Sequence, residues 1–136
     1  TPDYPADLPD RSPLSGRYEL VAGFDETRAE HRDRARIVLR ATEELAQPVI
    51  APMTGEVNVY RSTTLGLRVQ ITNRHSAVSV FLAGLQVTGL VDGQVVAAGE
   101  VVGTAAPGSD IEYMVFYRDR IINPETLRGV AGGPWD

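Results

Sequence analysis

Between Pro48 and Ala105, short runs of Val and Ile alternate with polar positions, and in the 91–105 stretch Gly closes each run. Runs this short and this rich in β-branched residues predict strands rather than helices. The densest instance is Val91-Asp-Gly-Gln-Val-Val-Ala-Ala-Gly-Glu-Val-Val-Gly-Thr-Ala105, with hydrophobic blocks on both sides of Asp92-Gly93 and Ala98-Gly99. Gly93, Gly99 and Gly103 are expected to supply the positive-φ or close-approach positions of a folded-over β-ribbon. Pro48-Val-Ile-Ala-Pro-Met-Thr-Gly-Glu-Val-Asn-Val59 repeats the order of strand, proline corner, glycine turn and strand.

The same reading extends over the rest of the chain. Residues 1–12 hold three Pro and three Asp without periodicity and predict an extended arm. Pro13 to Phe24 starts as a turn and continues as a strand with Tyr18, Leu20 and Ala22 on one face. Asp25 to Arg34 alternates in charge and suits either one or two helical turns or a solvated loop, in both cases a surface feature. Arg36 to Thr42 reads as a buried strand ending at a Glu43-Glu44 turn, and Tyr60 to Gly66 as a polar turn. Leu67-Arg-Val-Gln-Ile-Thr72 alternates, with Leu67, Val69 and Ile71 inward; Asn73 to Ser76 is a hairpin tip, and Ala77 to Ala83 returns. Ile111 to Tyr117 is a strand after the Pro107-Gly108 turn, and Ile121 to Pro124 closes the fold. About nine to eleven short strands at this spacing predict an all-β sandwich or barrel-like domain.

Composition narrows the chemistry. The 136 residues suffice for one domain with its own core. A net charge of −5 argues against duplex nucleic acid as a partner, and no apolar run is long enough to span a bilayer. Without Cys there is no disulfide, thiolate nucleophile or cysteine zinc site. All 13 basic residues are Arg, so a lipoyl or biotinyl carrier, a Schiff-base enzyme and a P-loop enzyme are excluded. Coding bias accounts for the missing Lys more simply than function does. Ser15, Ser79 and Ser109 have no His and acid in any nucleophile motif. The start at Thr1 leaves room for a removed leader or anchor.

Several ordered segments resemble the LytM or lysostaphin-like zinc endopeptidases of bacterial cell walls. Pro13-Leu-Ser-Gly16 to Gly23-Phe24 is similar to that family's opening strand and Gly-Phe turn. Pro48-Val-Ile-Ala-Pro-Met-Thr-Gly-Glu-Val57 resembles its Pro-Val-x-Ala-Pro-x-x-Gly-x-Val segment. Gly93-Gln-Val-Val-Ala-Ala-Gly-Glu-Val-Val-Gly103 resembles its Gly-Gln-x-Val-x-x-Gly-x-x-Ile-Gly segment, and Asp110 to Pro124 has the length of its last strand pair. The resemblance spans residues 13–126, leaving 127–136 as a Gly/Pro tail. It implies a LytM-like antiparallel β-sandwich or barrel-sandwich hybrid.

The departures bear on function. The family's peptidases hold zinc through a His and an Asp four residues apart and the last His of a His-x-His, while a further His serves the catalytic water. The resemblance lays these positions on Arg36 and Arg40, on Asp110-Ile-Glu112 and on Gly84. About three protein ligands and one open position are needed for a zinc-activated water, and this pattern offers none. His75 falls in a hairpin tip, and His31 has no Asp four residues on. The expectation is a pseudo-peptidase without cofactor. Its old groove is either tied by Arg36 and Arg40 facing Asp110 and Glu112, or floored by the same side chains in solvent. Asp110 and Glu112 as a hard-cation site is a third option, disfavoured by the Arg charges. Tyr113 and Trp135 are candidate partner contacts, though Trp135 packing on its own domain and Tyr113 in the core are equal readings. By resemblance the domain is extracytoplasmic or periplasmic, with an anchor outside this chain as one option. It would bind a cell-wall amidase or a subunit of an envelope complex, bind peptidoglycan peptide without cleaving it, or build an envelope or virion-tail assembly.

Overall fold

The computed structural model describes residues 9, 11–14, 16–22, 37–62, 66–86, 89–118 and 120–122. They form ten strands: β1 (Tyr18–Ala22), β2 (Ile37–Ala41), β3 (Gln47–Ile50), β4 (Gly55–Ser62), β5 (Gly66–Asn73), β6 (Val78–Leu85), β7 (Val95–Val96), β8 (Val101–Ala105), β9 (Asp110–Tyr117) and β10 (Arg120–Ile122). An antiparallel sheet runs β1-β2-β9-β6-β5-β4-β7, with β10 also on β9, and β3 pairs with β8 in a separate ribbon. The fold is all-β among the described residues, and no helix there is long and apolar enough to cross a membrane.

The alternation read from the sequence sorts the strands into two faces. Ile37, Leu39, Val57, Val69, Ile71, Val80, Leu82, Ile111, Tyr113 and Val115 are completely buried on the inner face. The ribbon covers them from the other side with Val49, Val102 and Ala105, joined by Ala51, Met53 and Leu14 in one cluster. Hydrogen bonds seat this second layer. Gln86 N donates to Thr104 O at 2.8 Å, and Ile50 N to Pro13 O at 2.8 Å. Gln47, only 4% exposed, accepts from Gly16 N at 3.0 Å and donates to Arg17 O at 2.9 Å, which ties the segment before β1 to β3. Pro9 and Ser12, inside the stretch read as an arm, are buried.

Two turn assignments change in detail. Tyr60, Arg61 and Ser62 continue β4, because they pair with Arg68, Leu67 and Gly66 in register; polar side chains belong on an outward strand face as much as in a turn. Gly103 lies within β8, whereas Gly93 (φ +87°) and Gly99 (φ +89°) take the left-handed turn positions. The tip after Asn73 is held by its own Oδ1, which accepts from His75 N at 3.0 Å and Ser76 N at 3.1 Å.

Candidate functional site

The outer face of the large sheet is built by the residues that alternate with the core. Register places Glu19 beside Arg40 and Arg40 beside Asp110. One row down, Val38 neighbours Glu112, then come Ala83, Arg68 and Tyr60. The third row holds Met114, Phe81, Gln70 and Asn58, and the fourth Phe116, Ser79, Thr72, Glu56 and Val95.

The first row is an ion-pair tie between strands. Arg40 Nε donates to Asp110 Oδ1 at 2.8 Å and Nη2 to Oδ2 at 3.4 Å, while Nη1 lies 3.8 Å from Glu19 Oε1. The hydrogen bond to Asp110 and then the charge of that carboxylate raise the Arg40 pKa; desolvation opposes this, and Glu19 adds to the rise. Arg40 and Asp110 side chains are 42% and 43% exposed, so water screens the pair and it is a modest contributor to stability.

Gly84 sits directly behind this pair. In the β5–β6 ladder Leu67 faces Leu85 and Arg68 faces Ala83, so Gly84 is the extra residue of a β-bulge. Its φ is +91°, and a Cβ placed there would lie 2.4 Å from the Asp110 carbonyl oxygen. The bulge keeps Leu85 inward after Leu82, at 4% exposure. Any side chain at this position, His included, conflicts with the backbone of β9.

Of the residues singled out from the sequence, Arg40, Gly84, Asp110 and Glu112 come together at this end of β2, β6 and β9. Arg36 and Trp135 lie outside the described residues. Tyr113 needs correction as a partner contact: it faces Ile37 and Leu82 across the sheet and is 0% exposed, because it occupies an inward position of β9. His75 is on the exposed tip, as read. Among the described residues no three His, Cys, Asp or Glu side chains converge in a way that could hold a metal ion. On the position that the resemblance gives to the zinc-binding Asp, Arg40 bonds Asp110 at 2.8 Å, and a cationic guanidinium is no zinc ligand.

The sequence reading missed the opposite half of the face. There Tyr60 Oη donates to Gln70 Oε1 at 3.1 Å, Gln70 Nε2 to Thr72 Oγ1 at 3.3 Å, and Thr72 Oγ1 shares a 3.3 Å bond with Ser79 Oγ. This chain runs across β4, β5 and β6 and fixes the side chains beside a T-shaped Phe81–Phe116 pair, 5.4 Å between centroids. The signal was present in the strict alternation of residues 67–72, which sends Arg68, Gln70 and Thr72 outward together.

No protein-family profile matches this sequence, and no curated protein matches it. Solved structures do match in shape. A chain of the SpoIIQ–SpoIIIAH pore-forming complex superposes with a TM-score of 0.73 at 18% identity, covering 91% of this chain and 93% of that one. Csd3 of Helicobacter pylori gives 0.69 at 17% identity over 89% of this chain but 33% of its own. Lysostaphin gives 0.66 at 13% identity over 85% of this chain and 52% of its own. The chain thus spans nearly all of the first, a third of the second and about half of the third. It has the LytM or lysostaphin-like fold.

Proposed function

We propose that this domain is a non-catalytic protein-interaction module of the cell envelope, a pseudo-peptidase that serves as scaffold or as regulator of a cell-wall hydrolase or envelope complex. The observation that carries the reading is the Arg40–Asp110 tie, in which Arg40, on a position that the resemblance gives to a zinc ligand, is bonded to the carboxylate on the first position of the His-x-His. The bulge at Gly84 supports it, since a catalytic side chain has no room there. The likeness to a chain of a pore-forming complex, over almost the whole of both chains, favours protein partners in an extracytoplasmic assembly. The docking surface in this reading is the outer sheet face with its rim, where Tyr60 is half exposed and Val38, Met114 and Phe81 form an apolar centre. A non-cleaving peptidoglycan-peptide module is the second reading, favoured by the same face of amide, hydroxyl and aromatic side chains.

Immobilised domain exposed to envelope extract tests the first reading. It predicts a stoichiometric protein retained by the wild type and by Val101→Ser on the ribbon, and lost with Tyr60→Ala. Retention by Tyr60→Ala and loss with Val101→Ser would move the interface off this face. Binding to purified sacculi in place of any protein would favour the second reading.

A further inference from the structure

Arg68 is an outward residue of β5, half-buried between Tyr60 on one side and Ala83 on the other. Three other described cations on or beside this face are engaged. Arg40 pairs with Asp110 and Glu19, Arg74 lies 3.6 Å from Glu56, and Arg118 stacks over the Tyr117 ring at 5.3 Å. Among the described residues nothing accepts a hydrogen bond from Arg68 or pairs with it. The planar fork of a guanidinium suits two parallel N–H···O bonds to a carboxylate.

Its surroundings are shaped for a ligand. Beside Arg68, Tyr60 offers a ring that is 50% exposed and the hydrogen bond from Tyr60 to Gln70 holds both side chains in place, while Ala83 on the other side is buried. Glu112 beyond Ala83 and Glu56 in the row below Gln70, together with a net charge of −5, disfavour a doubly charged phosphate or a polyanion. A single carboxylate on an otherwise uncharged segment meets the least repulsion.

We propose that Arg68 anchors a carboxylate of the partner's polypeptide, a Glu or Asp side chain or a chain end, on a segment laid across β5 and β4 with its apolar part on Tyr60. This rests on the protein-interaction reading above and names the partner's chemistry at that face.

The test is an NMR titration of the isotope-labelled domain with a capped glycyl-glutamyl-glycine peptide and with its glutaminyl counterpart. The glutamyl peptide is expected to shift the amides of Tyr60, Arg68, Gln70 and Ala83 and to bind about tenfold more tightly than the neutral one, as for a charge-assisted bidentate pair. Arg68→Gln should abolish that preference, and Arg68→Lys should keep only part of it, since the charge remains and the fork is lost. The spectrum of each variant without peptide reports its folding. Equal affinity for the two peptides, no binding of either, shifts confined to other strands, or an unchanged preference in Arg68→Gln would each overturn the proposal. Any of these would leave the capture experiment with Tyr60→Ala intact, so the two readings fail separately.

Discussion

At the scale of single residues, two glycines separate backbone strain from steric exclusion. Gly93 has φ +87° in open space, whereas Gly84 has φ +91° with the Asp110 carbonyl oxygen 2.4 Å from an added Cβ. Gly93→Ala should cost about 1–2 kcal/mol, the penalty of a left-handed L-residue alone. Gly84→Ala should cost more, because β6 and β9 must also separate at the bulge. Denaturant midpoints of the two variants check this, and equal shifts would show that the bulge yields freely. Arg40 makes a second residue-scale prediction. Its pKa is raised, so what it adds to stability is complete at neutral pH and is lost only as pH rises through the strongly alkaline range. Unfolding of wild type and Arg40→Gln should therefore differ by a constant amount through the neutral range, and that difference should shrink in high salt. A difference that disappears between neutral and mildly alkaline pH would contradict the assignment.

At the scale of elements, the sheet depends on alternation inside the strands and on one side chain at its edge. Leu82 is fully buried in β6, between β5 and β9, and Leu82→Ala should lose about 2–5 kcal/mol by calorimetry or denaturant titration. The edge of β4 is closed by the 91–94 turn. Gly93 N donates to Val57 O at 2.8 Å, and Val59 N to Asp92 Oδ1 at 2.6 Å. Asp92→Ala should cost about 1 kcal/mol and speed amide exchange at Val59 selectively; uniform exchange along β4 would show that the turn does not cap it. The strands themselves were legible because each buried face is a period of two in Val, Ile and Leu, as in residues 67–72. The extent of β4 was not, since Tyr60 to Ser62 are polar and the partner that makes them a strand lies across a turn. The bulge at Gly84 was hidden for a similar reason: a glycine in a strand signals a kink or a close approach without saying which neighbour demands it.

At the scale of the molecule, fold and function were legible to different depths. The order of Pro- and Gly-bearing segments pointed to a LytM-like domain, and the superpositions at TM-scores of 0.73 and 0.66 bear that out. The same order laid Arg40, Gly84, Asp110 and Glu112 on positions that the strands bring together, which required only that register be preserved. Tyr113 was misjudged because aromatic residues at alternate positions look alike until the inward face is known. Arg68 was passed over because it belongs to no motif; what distinguishes it is the absence, among the described residues, of any acceptor, and that is a property of three strands rather than of one. The central claim is that the peptidase chemistry of this fold has been replaced here by binding. It is tested most directly by incubating the purified domain with added zinc and peptidoglycan sacculi, and measuring bound metal together with released peptide. No stoichiometric zinc and no release are expected. One zinc per chain accompanied by cleavage would contradict it.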